Sequence, residues 1–280
     1  MEATMAAPEE AIILAQRMAD LYQDYAQVEA VTLNGSRTSG VAVDARSDID
    51  LEVYTAKGEF PLEERRAIVE RLGGATRVNL GLRFWGDGDI WFDARSGIEV
   101  DVVYPSQRST EEELDHTLRQ HLPSGAYSTC TWHSVRTAHI LFDRRGWFGQ
   151  LKAWSDQPYP PELRQAIIDH NFPILRDIIP SYRYNVEKSL PRRDLVFINN
   201  EVTWLLACYF DVLFAFNQVP HPGSKRLLEQ AARLCPRRPQ DLAGQVTEVL
   251  RLSAVGDAGL LTAIDRLVDG LEGLLGEEVS

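Results

Sequence analysis

The sequence predicts an α+β fold: a mixed β-sheet before Pro105, followed by an α-helical bundle that fills the rest of the chain. Two observations carry this. The first part contains short apolar runs that alternate with period two and are punctuated by Gly-rich turns. From Thr110 onward the apolar residues recur at helical spacing between Pro-rich breaks, with no internal repeat or low-complexity tract. The expected division is 1–107 for the sheet and 108–280 for the helices, with the boundary near Pro105 to Thr110.

Each element follows from local pattern. Ala11, Leu14, Met18, Leu21, Tyr22 and Tyr25 lie on one face of an opening helix over Glu9 to Tyr25, with Pro8 suited to its first turn. Val28 to Leu33 reads as a first strand and Ile49 to Tyr54 as a second. A helix over Leu62 to Leu72 is stopped by Gly73-Gly74. Thr76 to Phe84, Asp89 to Phe92 and Gly97 to Tyr104 read as further strands. Helices are expected over Glu111–His121, His133–His139, Trp147–Trp154, Pro161–Ser189, Arg193–Asn217, Ser224–Leu234 and Pro239–Leu275.

The chemistry concentrates in residues 34–54. Asp48 and Asp50 are two apart in a run, Ile49, Leu51, Val53, that alternates like a strand, so both carboxylates leave one face. Two like charges held that close repel, and Asp is depleted in strands. A divalent cation relieves the conflict, because Mg²⁺ takes one or two carboxylates and completes its shell with water and substrate phosphate. Upstream, Gly35 permits close backbone approach, Ser36 offers a hydroxyl and an amide, and Arg37 a cation, all suited to the terminal phosphates of a nucleotide. The segment points to phosphoryl-type transfer.

Gly35, Ser36, Arg37, Gly40, Ser47, Asp48, Ile49 and Asp50 together resemble the signature of the DNA polymerase beta-like nucleotidyltransferase superfamily, in particular its small-molecule and antibiotic-modifying branch with a helical C-terminal domain. The resemblance implies a polymerase beta-like nucleotidyltransferase core that transfers a nucleoside monophosphate from ATP or another nucleoside triphosphate to a hydroxyl of a small acceptor, an aminoglycoside-like antibiotic being one such acceptor. It implies one or two Mg²⁺ ions held by Asp48, Asp50 and a third carboxylate on a later strand. Gly97 to Tyr104 supplies Glu99 and Asp101 on one face; the resemblance selects Asp101, with Glu99 the second candidate for general base. Phe216 to Leu228 resembles a helix–loop–helix element of the same superfamily in which a lysine follows a Pro-Gly pair, which places Lys225 in a helix first turn as a triphosphate contact. Alternative readings are a protein-modifying, antitoxin-like enzyme and a catalytically silent nucleotide-binding protein.

Composition sets the limits. Lys and Arg number 29 against 41 Asp and Glu, a net charge of −12, which argues against a broad basic surface for nucleic acid. Three widely spaced cysteines have no zinc or redox spacing, and the six histidines no pair at metal spacing on one helix face. No stretch reaches membrane-span length and the N-terminus lacks a signal-peptide pattern, so a cytoplasmic protein is expected; the oligomeric state is left open by the sequence, with a monomer slightly favoured. Trp85, Asp87, Asp89 and Trp91 form either an acceptor-binding edge or a hairpin tip. In the apolar helix over Arg193 to Asn217, the polar residues Asn199, Asn200, Glu201 and Asp211 each need a partner and could orient a ligand.

Overall fold

The computed structural model describes residues 8–38, 47–84 and 86–276. Its sheet comprises β1 (Val28–Leu33), β2 (Ile49–Thr55), β3 (Ala75–Leu82), β4 (Gly88–Asp93), β5 (Glu99–Val103) and β6 (His139–Asp143), in the order β3-β4-β5-β2-β1-β6. Only the β2–β5 pairing among these strands is parallel; β1–β2, β1–β6, β3–β4 and β4–β5 are antiparallel. The sheet is therefore mixed, as its sequence predicts.

Period-two alternation decides what each face of the sheet does. Ile49, Leu51 and Val53 of β2, with Val100 and Val102 of β5, are buried against α1 (Pro8–Tyr22) and α2 (Leu62–Leu72). Leu14, Met18, Ile68 and Leu72 complete that core, each contributing about 1.5–3 kcal/mol by burial. The intervening residues Asp50 and Glu52 of β2, and Glu99 and Asp101 of β5, face the other way and are only half-buried. One face thus anchors the sheet and frees the other for polar chemistry.

The helices are α3 (Gln107–Leu118), α4 (Cys130–Thr137), α5 (Trp147–Ser155), α6 (Pro161–Asn171), α7 (Pro173–Arg176), α8 (Tyr182–Ser189), α9 (Leu195–Phe216), α10 (Leu227–Leu234), α11 (Leu242–Val255) and α12 (Leu260–Gly276). Two compact units result: residues up to Asp115 with Ser134–Gln157, and His116–His133 with Pro158 onward. The first unit takes in β6, a strand in a region expected to be helical. Pro173 and Pro180 divide the long helix expected over Pro161–Ser189, because proline cannot donate to the helical ladder. The one expected over Pro239–Leu275 ends at Gly256, whose left-handed backbone caps α11. Among the described residues no helix is long and apolar enough to cross a membrane.

Candidate active site

The turn between β1 and β2 brings the motif residues together. Asn34 is extended, and Gly35–Arg37 then form a single 3₁₀ turn to which Ser36 contributes backbone. The Asn34 amide donates to the Asp50 carbonyl at 2.9 Å, tying the turn to the start of β2. Gly35 has φ +70°, and a Cβ there would lie 1.9 Å from Asp50 Oδ2. The Asp50 carboxylate thus packs directly onto the glycine backbone, a contact that no side-chain-bearing residue allows. Gly35→Ala is accordingly expected to cost about 1–2 kcal/mol for the left-handed backbone alone and to drive Asp50 from its position. A urea-unfolding midpoint equal to wild type would count against this close packing.

Asp50 and Asp101 are register partners in the parallel β2–β5 pair, so their side chains leave the same face of adjacent strands. Asp48 precedes Asp50 by two residues with the same parity, although it lies just before the strand. Glu99 shares the face of Asp101 but sits at the strand end opposite Phe92. Among the described residues no group of three or more His, Cys, Asp and Glu side chains is gathered closely enough to enclose a metal ion. The donor set presented by the strands is instead the Asp50–Asp101 pair. That pair suits Mg²⁺, which needs only one or two protein carboxylates.

Arg37 folds back onto the chain. Its Nε donates to the Asp48 carbonyl at 2.8 Å and another guanidinium nitrogen to the Ser47 carbonyl. Burial pushes its pKa down, while Asp48 and Asp50 pull it up, so the cation is embedded beside both carboxylates. Two of its five donors are therefore occupied in holding the approach to β2. Gly40, part of the same motif, lies outside the described residues.

A fifth carboxylate on this face, beside Asp48, Asp50, Glu99 and Asp101, was not singled out from the sequence. Glu52 follows Asp50 by two residues and accepts from Tyr54 Oη. Burial raises its pKa, opposed by Tyr54 and Asn34, with Glu113 raising it further. The signal was legible: residues 48, 50, 52 and 54 read Asp, Asp, Glu, Tyr with one parity. Asn34, 7% exposed, stands beside Glu52, and its side-chain amide favours the charged form of that carboxylate.

Other candidates resolve differently. Asp89 is buried and accepts from Arg65 Nη1 (3.1 Å), the Gly81 amide (2.8 Å) and Tyr104 Oη (2.7 Å). Asp87 pairs with the same Arg65, and Trp91 is in the core behind the sheet. For Asp89 and Trp91 the acceptor-binding reading is thereby corrected: β4 turns both to its anchored face, where they are buried, while Asp87, half-buried, precedes the strand. Trp85 lies outside the described residues. Lys225 belongs to the second unit and is exposed; α10 starts only at Leu227, after Arg226 in left-handed conformation, so Lys225 is not in a helix first turn.

In the second unit, Asp211 is structural. Its carboxylate accepts from the Ser128 amide (3.0 Å), Ser128 Oγ (2.6 Å) and Asn171 Nδ2 (2.9 Å), fastening the segment around Ala126 and Tyr127, both at positive φ, to α9. Glu201 accepts from Asn185 at 2.8 Å and Asn199 donates to the Ser253 carbonyl, so these too serve packing. His221 is wholly buried; its Nδ1 accepts from the Gly223 amide at 3.1 Å and lies 3.5 Å from Cys130 Sγ. Burial pushes the Cys130 thiol up to about 12 and His221 down to about 3, which excludes a thiolate–imidazolium couple.

Asp211 and His221 give opposite pH dependences. Burial raises Asp211 to about 6, so the folded state holds its proton and loses stability as pH rises from about 4 to 6. His221 is depressed, so the unfolded state takes a proton first and stability falls as pH drops from about 6.5 toward 3. Between about pH 4 and 6 the slopes cancel. Asp211→Asn is expected to expose the histidine slope, about 1.4 kcal/mol per pH unit over that range. Urea unfolding at pH 4, 5 and 6 measures it, and a flat profile in the variant would contradict the opposition.

No protein-family model and no curated protein matches the chain. In structure it is similar to a nucleotidyltransferase-like protein from Exiguobacterium sibiricum 255-15, at 15% identity over 96% of this chain and 76% of that one, with a TM-score of 0.43. It is also similar to a STING-associated CdnE c-di-GMP synthase from Capnocytophaga granulosa, at 10% identity over 96% and 81% of the two chains, with a TM-score of 0.32. The functional reading rests on the residues.

Proposed function

We propose that the chain is a Mg²⁺-dependent nucleotidyltransferase that moves a nucleoside monophosphate from ATP or another nucleoside triphosphate to a hydroxyl of a small acceptor and releases pyrophosphate. The observation that supports it most is the register pairing of Asp50 with Asp101 beside a glycine turn onto which Asp50 packs. Two carboxylates fixed side by side on rigid strands are costly unless positive charge arrives with a ligand.

In this reading the Asp50–Asp101 pair would hold the cation, with Asp48 just ahead of the strand, and the ion would supply charge neutralisation for the triphosphate. The Gly35–Arg37 turn offers backbone amides to phosphate oxygens. The acceptor hydroxyl gives its proton to a carboxylate of this face, Asp101 or Glu99, its oxygen bonds to the α-phosphorus, and the bond from that phosphorus to the bridging oxygen breaks as pyrophosphate departs. The negative charge of the chain and the acidic sheet face favour an acceptor bearing amines, as aminoglycosides do. Incubation with each α-³²P-labelled nucleoside triphosphate and a panel of aminoglycosides, lincosamides and polyols tests this. Acceptor-dependent transfer of label supports the proposal, and triphosphate binding with no transfer to any acceptor removes it in favour of a binding-only role.

A further inference from the structure

A second concave site lies in the sheet unit, at the end of β2 away from the aspartates. Seven residues of extended chain separate Asp48 from Thr55, a span of about 23 Å. Thr55 Oγ1 accepts the Gly58 and Glu59 amides at 2.9 and 3.1 Å, which curls the chain into a wall before α2 begins. Opposite it, Gly81 of β3 adopts φ +78° and donates its amide to Asp89, keeping that strand close to Leu62. Arg65, 3% exposed, closes the floor, held by Asp87, Asp89 and the Phe60 carbonyl (2.7 Å). The cavity is open on one side and has a volume of about 590 Å³, within the usual range for small-molecule sites.

The lining has a distinct character. Phe60, Pro61, Leu62 and Ala56 provide an apolar surface. Lys57 and Arg83 stand exposed at the rim, and among the described residues neither is in an ion pair. Asp87 is occupied by Arg65, which leaves Glu59 as the rim acid facing those two cations. At the rim the two cations outnumber Glu59 by one, while the Arg65–Asp87–Asp89 network beneath carries one net negative charge of its own.

We propose that this cavity binds a small organic anion, a phosphate or carboxylate carried on a flat apolar body. The body lies against Phe60 and Leu62, and the anionic group is met by Lys57 and Arg83. The site is independent of the nucleotidyl-transfer reading, because it shares no residue with the aspartate face.

Ligand-observed NMR with phenyl phosphate and benzoate tests it, with neutral benzyl alcohol as the charge control. Either anion should bind wild type and Asp50→Asn protein equally, while benzyl alcohol does not; the preferred anion distinguishes phosphate from carboxylate. Lys57→Gln with Arg83→Gln should weaken binding about tenfold, the equivalent of about 1.4 kcal/mol. Glu59→Gln should strengthen it about twofold. Lys57, Glu59 and Arg83 are exposed, so variants at these three positions are expected to unfold at the wild-type midpoint. Equal binding of benzyl alcohol, loss of anion binding in Asp50→Asn, wild-type affinity in the double variant, or no binding of either anion at millimolar concentration would each overturn the proposal.

Discussion

Asp50→Asn is expected to abolish nucleotidyl transfer while leaving the fold intact. Asparagine keeps the size that packs onto Gly35, so the turn and the strand register are preserved. What is lost is one negative charge of the Asp50–Asp101 pair. Metal-assisted charge stabilisation is worth several kcal/mol in the transition state, so the rate should fall about a thousandfold or more. The unfolding midpoint should stay constant or rise slightly, because two like charges on adjacent strands no longer repel. A variant with near wild-type turnover, measured as pyrophosphate release in the presence of an active acceptor, would show that Asp50 is not in the site.

Arg65→Ala is expected to be the most damaging single change to stability in the sheet unit. Arg65 joins α2 to the β3–β4 hairpin by bonds to Asp87, Asp89 and the Phe60 carbonyl, with its guanidinium 4.1 Å above the Tyr104 ring. Asp89 is 2% exposed, and Tyr104 Oη bonds in turn to Tyr22 of α1 at 2.8 Å. Removing the cation strands a buried carboxylate, a loss of about 3–5 kcal/mol. Adding Asp89→Asn should recover part of it, because the orphaned charge is what makes the single variant costly. Urea denaturation of the two variants decides the matter: a shift below about 1 kcal/mol for Arg65→Ala would mean that the network contributes little.

What could be read from the sequence follows from the range over which each signal acts. The strands β1 and β2 and the helix α2 were placed almost to the residue, because alternation, helical spacing and Gly73-Gly74 are local. Strand β6 was missed. Its five residues, His139–Asp143, are at the sheet edge, none fully buried, and their partner β1 is more than a hundred residues earlier in the chain. Parity alone placed Asp48 and Asp50 on one face and Glu99 and Asp101 on another strand, but the register that sets Asp50 opposite Asp101 depends on long-range pairing. The same limit explains Asp87 and Asp89, which read as polar hairpin residues until Arg65 of α2 meets them. Asp211 was recognised as a polar group in need of partners, but one of them, Ser128, comes from a segment that no helical period announces, and the other, Asn171, from an expected helix whose packing on α9 no local pattern reveals. The first-turn placement of Lys225 failed for a backbone reason: the left-handed Arg226 delays the start of α10.

In the proposed function the register pair Asp50–Asp101 forms one cation-dependent site. It is tested most directly by electron paramagnetic resonance of Mn²⁺, used in place of Mg²⁺, titrated into the protein with a nucleoside triphosphate. Wild-type protein should bind the ion, and Asp50→Asn and Asp101→Asn should each lose that binding to a similar degree. Retention of wild-type Mn²⁺ affinity in Asp101→Asn would contradict the account, because the register pairing would then have no part in holding the ion.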